Sequence, residues 1–416
     1  MSVEGWKTKA LGSVAEIIMG QSPDSRYYSE EEIGLPFLQG CAEFTSKFPS
    51  AVLFCSQVKK IARTGSILFS VRAPVGRTNL TDTDYIIGRG LAALIASQIS
   101  QDYLHHYLVY SESGFRNNSQ GSTFEAINSK ELRDWAISFP EFLQEQTQIA
   151  TILSTIDRAI EQTEALIAKQ QRIKTGLMQD LLTKGIDENG NIRSEETHEF
   201  KDSPPGRIPV EWEVKSLDEL TTKIGDGIHT TPAYSENTGF FFINGNNLGD
   251  GSIHITSDTL CVNQGEFRKY YIELDDRTIL YSINGTIGNI AFYKNEPVVL
   301  GKSAAYIKCK KSVNARLIYH ILQSEPVHRF YDYELTGSTI KNLSLAAMRA
   351  TPIKIPRMQE EQEFLACRLD LCVYEIGQAN NCLSKLRSLK TGLMQDLLTG
   401  KVRVTELIKE RETDNL

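Results

Sequence analysis

The side chains in this 416-residue sequence that could do chemistry are bases and amides, gathered in two stretches of chain. In the first, Lys59, Lys60, Arg63, Arg72 and Arg77 follow one another with no acid between Val58 and Thr81. Arg116, Asn117, Asn118 and Gln120 come soon after. In the second, the corresponding set is His229, Thr230, Asn244, Asn246, Asn247, Arg268, Lys269, Lys302 and Lys341. The chemistry that suits them is non-covalent. Lys and Arg neutralise phosphates, while Arg, Asn and Gln make paired hydrogen bonds to purine edges. Taken singly, such residues are more often solvated surface or turn groups; their clustering points to nucleic acid. The net charge of −7 argues mildly against a simple nucleic-acid binder, but a near-neutral globule can carry a basic face.

No catalytic arrangement accompanies them. Gly301-Lys302-Ser303 ends like a phosphate-binding loop, but the earlier glycine of that motif falls on Glu296. Gly225-Asp226-Gly227 opens like a dinucleotide fingerprint, yet its third glycine position is Thr230. The seven histidines show no metal-ligand spacing, and His105-His106 reads as packing or surface. The Asn-Pro-Pro-aromatic run that would hold an extruded base is absent. The expectation is therefore no catalytic residue, no metal and no cofactor of the chain's own. Seven scattered cysteines without a CxxC pair read as reduced thiols. No apolar run approaches the roughly 18 residues of a membrane span, and Met1–Ala10 lacks a signal peptide's apolar stretch. A cytoplasmic location away from membranes is expected.

The elements that must position these groups come in two kinds. Residues 1–139 mix short apolar runs with turns and read as an α+β globule. Strands or strand-to-turn pieces are expected at 35–40, 50–56, 65–71 and 85–96, with a helix at 101–111 and a polar turn at 114–123. Residues 140–184 then carry apolar side chains at alternating spacings of three and four, predicting one long helix. A polar linker at 185–207, a second globule at 208–356, a second long helix at 357–400 and a charged tail at 401–416 complete the chain. The residues expected to pair the helices are Ile149, Leu153, Ile156 and Ile160 against Leu365, Leu369, Ile376 and Leu383, on stripes that also take in Ile173 and Leu389.

The halves are a duplication. KTGLMQDLLT occupies 174–183 and recurs unchanged at 390–399, 216 positions later, and the same offset lays Glu145 on Glu361 and Gln146 on Gln362. Repeats of this kind mark duplicated structural units. The expected architecture is α+β: two similar globules separated by two long antiparallel coiled-coil-like helices, with a pseudo-twofold internal repeat. Gly176 and Gly392, unfavourable inside a helix by about 1 kcal/mol each relative to Ala, predict a close approach of another helix or of a partner.

Two diverged heads on a fixed spacer suit an elongated target such as duplex DNA, whose turns repeat about every 34 Å. A structural coiled-coil adaptor with protein-binding heads, and an enzyme with an unrecognised site, are the other readings.

The stretches GQSPDSRYYSEEEIGLPFLQG (20–40), FKDSPPGRIPVEWEV (200–214) and GDGIHTTPAYSENTGFFFINGNNL (225–248), with both KTGLMQDLLT helix ends, carry a resemblance over nearly the full length. The chain resembles the specificity (S) subunit of Type I restriction–modification systems. That resemblance implies two target-recognition domains, each reading one half of a bipartite double-stranded DNA site. It implies helices that set the gap between the halves and dock two methyltransferase (M) subunits, with restriction (R) subunits joining. S-adenosylmethionine and ATP would be bound by those partners. Recognition domains vary most within such families, so the resemblance assigns no base-contacting residue.

Overall fold

The computed structural model describes residues 3–119, 126–335 and 341–408. The chain divides into two compact units, Met1–Ala165 with Asn381–Leu416, and Leu166–Asn380. Each long helix contributes one portion to each unit.

In the first unit a four-stranded antiparallel sheet runs in the order Ala15–Met19, Leu91–Ala96, Ile67–Ser70, Thr78–Leu80. A five-stranded sheet runs Tyr28–Ser29, Leu53–Cys55, Leu35–Leu38, Tyr85–Ile87, Ile61–Ala62, with Leu35–Leu38 parallel to Tyr85–Ile87. The unbroken apolar run at Leu91–Ala96 follows from burial on both faces. Ala92 and Leu94 enter the cluster beneath helix Gln101–Tyr110, while Leu91 and Ala93 enter the cluster shared with Leu38 and Ile87. Trp6–Ala10 pairs with Ala136–Pro140, so the strand that starts the head lies beside the one leading into the first long helix.

The second unit repeats this plan. Thr221–Asp226, Ala304–Cys309, Thr278–Ser282 and Ile290–Phe292 form the four-stranded sheet in equivalent order. Phe241–Ile243 lies parallel to Val298–Leu300, and Trp212–Ser216 pairs with Pro352–Pro356. Small anchors repeat as well. Arg133 donates to the Ile17 carbonyl and Arg349 to the Ile224 carbonyl, both at 2.8 Å.

The long helices span Leu143–Leu181 and Gln359–Leu397, 39 residues each, or about 58 Å at 1.5 Å per residue. Within the first unit they run antiparallel, because Asp157 faces Lys390 at 2.6 Å and Glu164 faces Arg387 at 2.7 Å. Within the second unit Leu177 and Leu181 share a cluster with Leu369 and Leu365, again antiparallel. Ile149 and Leu153 are fully buried with Met394, Leu397 and the head's own Leu104 and Leu108. Leu365 and Leu369 do the same in the second unit. The start of each stripe therefore serves a head as well as a helix. Ile156, Ile160 and Ile376 are half-buried and Leu383 is buried.

Three expectations need correction. The sequence suggests a polar turn over 114–123, but Glu112–Ser119 is a helix, and 120–123 lie outside the described residues. Phe115 supplies the reason, stacking on Trp135 at 3.9 Å and meeting Phe69 edge-on at 4.9 Å. The stripe positions Ile173 and Leu389 are 51% and 50% exposed, because the facing helix covers a narrower strip than the sequence pattern supplies. At Gly176 and Gly392 an added Cβ would meet nothing within 4 Å, so among the described residues no second helix approaches there, which leaves a partner as the remaining form of that expectation.

The linker is also more than a connection. Arg193 within it is buried, and donates to the two carboxylate oxygens of Glu361 at 2.5 and 3.2 Å. The first unit holds the counterpart, with Arg403 donating to Glu145 at 2.6 and 2.7 Å. Gln146 and Gln362 match in detail. Each donates to the carbonyl of a strand-ending proline, Pro140 or Pro356, at 2.8 Å. Each accepts from the backbone at the start of a head helix, Ser100 or Asn314.

Candidate nucleic-acid interface

The turns at one edge of each head are built alike. In the first head, Gly88 N–H donates to Leu38 O at 2.7 Å, Val71 N–H to Gly90 O at 2.9 Å, and Ile127 N–H to Val71 O at 3.0 Å. In the second, Gly301 N–H donates to Ile243 O at 2.8 Å, Ile283 N–H to Ser303 O at 3.0 Å, and Leu343 N–H to Ile283 O at 2.8 Å. The hairpin at 71–77 therefore corresponds to that at 283–289. Both carry a left-handed glycine at the same point, Gly76 at φ 92° and Gly288 at φ 100°, which favours Gly because it lacks a Cβ.

Several of the predicted bases meet at this edge in the first head. Lys60 lies opposite Ile87, whose N–H donates to the Lys60 carbonyl at 3.0 Å, and Lys59 precedes it. Arg72 and Arg77 flank the hairpin, and all four side chains are exposed. Arg63 is placed differently. It sits at the far end of Ile61–Ala62, paired with Asp84 at 2.6 Å. Arg116 pairs with Glu112 at 2.6 Å on the helix Glu112–Ser119, which presents Asn117 to solvent. Asn118 belongs to that helix, but its side chain lies outside the described residues, as does the whole of Gln120.

In the second head the edge collects Asn244, Asn246, Asn247, Lys302 and Lys341. Asn244 and Asn247 have structural duties, the Asn247 Oδ1 accepting from Asn244 N–H at 3.0 Å and the Asn244 Oδ1 accepting from Ser303 Oγ at 3.1 Å. Asn246, Lys302 and Lys341 are exposed, and the Lys341 carbonyl accepts from Gly285 N–H. His229 bonds Asp226 at 2.9 Å, and Thr230 lies 3.4 Å from the Tyr270 hydroxyl. Arg268 and Lys269 belong to the helix Gln264–Lys269, a separate element joined to the edge through Thr230. The Lys269 ammonium over the Tyr270 ring, 4.6 Å away, holds that phenol below its usual pKa, chiefly through their hydrogen bond. Such a site can bind anions and base edges.

Ser22, Gln39 and Arg89 also belong to this edge in the first head and do not stand out in the sequence. The repeat carries the signal, since IGRGLAAL (87–94) lies on LGKSAAYI (300–307) and sets Arg89 on Lys302. Among the described residues, no group of three or more His, Cys, Asp or Glu side chains is placed to hold a metal. No described helix is long and apolar enough to cross a membrane.

A family model described as the Type I restriction modification DNA specificity domain matches the sequence twice, over residues 3–170 and 209–376. The chain belongs to this family. It is a Type I specificity subunit, with two DNA-recognition domains. Among related proteins is the putative MjaX specificity subunit of Methanocaldococcus jannaschii, 38% identical over a match that takes in 44% of each chain. The MjaIX specificity subunit of the same organism is 23% identical over 97% of this chain and 94% of its own. An S subunit crystal structure from M. genitalium shares the fold with a TM-score of 0.64 and 15% identity, covering 95% of this chain and 96% of that one. A chain solved in work on complex assembly and conformational transition of the type I R-M system gives a TM-score of 0.54 and 17% identity, with 96% and 99% covered.

Proposed function

We propose that this specificity subunit is a non-catalytic DNA reader whose two heads each recognise one half of a bipartite double-stranded site. The observation that carries this is the pairing of diverged turn edges with an undiverged frame. Lys302 stands where Arg89 does and Asn284 where Arg72 does, while KTGLMQDLLT, the Gln–Pro anchor and the Arg pair on a buried helix-start Glu are kept in both copies. Heads that differ at the reading edge should select different half-sites. A frame that repeats should present the same surface twice, which suits docking of two identical methyltransferase subunits, with restriction subunits joining the complex in the cytoplasm. S-adenosylmethionine and ATP would be bound by those partners, and the long helices would set the gap between the halves.

Exchange of residues 208–356 for the same segment of another specificity subunit tests this. Methylation mapped genome-wide should show one half-site replaced and the other retained. Replacement of both halves would reject two independent heads, and absence of sequence-selective methylation would favour a protein-binding adaptor. Labelled S-adenosylmethionine held by the purified chain alone would reject the non-catalytic reading.

A further inference from the structure

We propose that Arg89 and Lys302 are equivalent DNA contacts on one shared turn, with Arg89 reading a base in the first half-site and Lys302 neutralising a phosphate in the second. The inference rests on the DNA-reading function proposed above and names side chains for it.

Gly88-Arg89-Gly90 follows strand Tyr85–Ile87, and Gly301-Lys302-Ser303 follows Val298–Leu300, each the parallel partner of a neighbouring strand. The flanking positions are closed. A Cβ at Gly88 would come within 2.9 Å of Gln39 Oε1, and one at Gly90 within 2.6 Å of the Gln39 carbonyl. A Cβ at Gly301 would come within 2.2 Å of Asn244 Oδ1. The glycines have no room for a side chain and Ser303 turns its hydroxyl onto Asn244, so in both heads the exposed side chain of the turn is the middle residue's, a cation.

A hydroxyl fixes each turn. Ser22 Oγ accepts from Arg89 N–H at 3.2 Å and from the Gln39 amide at 3.0 Å. Ser303 Oγ accepts from Gly245 N–H at 2.9 Å and donates to Asn244 Oδ1 at 3.1 Å. No described carboxylate pairs with Arg89 or Lys302, in contrast to Arg63 with Asp84 and Lys269 with Glu266. A rigid backbone with an uncommitted cation beside a fixed amide is a surface built to meet an anionic, hydrogen-bonding target. The planar guanidinium forks onto guanine O6 and N7, whereas an ammonium acts as a point charge on phosphate.

The test uses the full chain assembled with its methyltransferase subunits, titrated with duplexes carrying the mapped site and every single-base change in it, at several salt concentrations. Arg89→Ala and Arg89→Lys should each weaken binding of the mapped site about tenfold or more and relax selectivity at one position of one half-site. Lys302→Ala should weaken binding to all duplexes alike and reduce the salt slope by about one contact. Melting temperatures should stay at the wild-type value. Arg89→Ala binding within twofold of wild type, or Arg89→Lys keeping full selectivity, would overturn the assignment. If the wild-type complex still selects its bipartite site in that case, the proposed function stands; a wild-type complex without selectivity would remove that function itself.

Discussion

Arg403 closes on Glu145 with two charge-assisted hydrogen bonds of 2.6 and 2.7 Å, although 258 residues separate them in the chain. Glu145 is 1% exposed, at the start of the first long helix, and Arg403 lies just beyond the end of the second. The Arg193–Glu361 pair repeats the contact with the helices in exchanged roles.

Removing one partner of a buried pair strands the other charge. Glu361 also accepts from Trp212 Nε1 and Ile186 N–H, both at 3.1 Å, so it satisfies three separate groups. Glu361→Ala should destabilise the second unit by about 3–5 kcal/mol, read as a lower denaturant midpoint. Arg387→Ala, which breaks the exposed pair with Glu164, should cost about 1 kcal/mol or less. Equal losses in the two variants would refute this ranking.

Acid should loosen the first unit through its paired histidines. Burial first, and the neighbouring His106 second, push the His105 pKa down from 6.5 to about 4. A depressed histidine pKa means that the unfolded chain binds the proton more readily. Its contribution is therefore complete above pH 6.5 and is lost as the pH falls towards 4. Stability measured across that interval should decline, and His105→Gln should flatten the decline. An unchanged slope in the variant would assign the acid sensitivity elsewhere.

The exposed stripe residues call for a partner. Ile173 and Leu389 occupy equivalent positions, half uncovered, each three residues before an open glycine. Ile173→Lys with Leu389→Lys should leave the melting temperature of the free chain within a degree or two and weaken assembly with methyltransferase subunits in sedimentation experiments. Normal assembly would move the docking face off these helices.

Helix length should set the spacing of the half-sites. Deleting residues 160–166 together with 376–382 removes two turns from each helix, about 10 Å. That should shorten the unspecified gap by about three base pairs or abolish binding. Methylation at the original gap would end the ruler idea.

The sequence exposes most of the frame, because its physical signals are periodic. The alternation of three and four predicts both long helices to within three residues at each end, and the 216-residue offset lays Glu145 on Glu361 before any contact is known. The edge of each head is less legible. A cation's role there depends on whether an acid lies near in space, and nothing local in the sequence tells Arg63, tied to Asp84, from Arg72, which is exposed on its hairpin. Helix Glu112–Ser119 is likewise hidden, since Phe115 gains its partners from elsewhere in the chain, Phe69 on the strand Ile67–Ser70 and Trp135 just before the strand Ala136–Pro140.

The split composition of the first unit has a consequence for synthesis. The second unit is one continuous stretch, whereas the first takes its last portion from Asn381–Leu416. Met394, Leu397, Leu398 and Val404 all belong to the core that contains Ile149 and Leu153. A ribosome adding about 5–20 residues per second therefore leaves Glu145 without Arg403 for on the order of 10 to 50 s. The head made first is finished last. Until then its helix carries a buried-type carboxylate and an uncovered apolar face, so the nascent first half is the stage at which this chain most needs protection from aggregation.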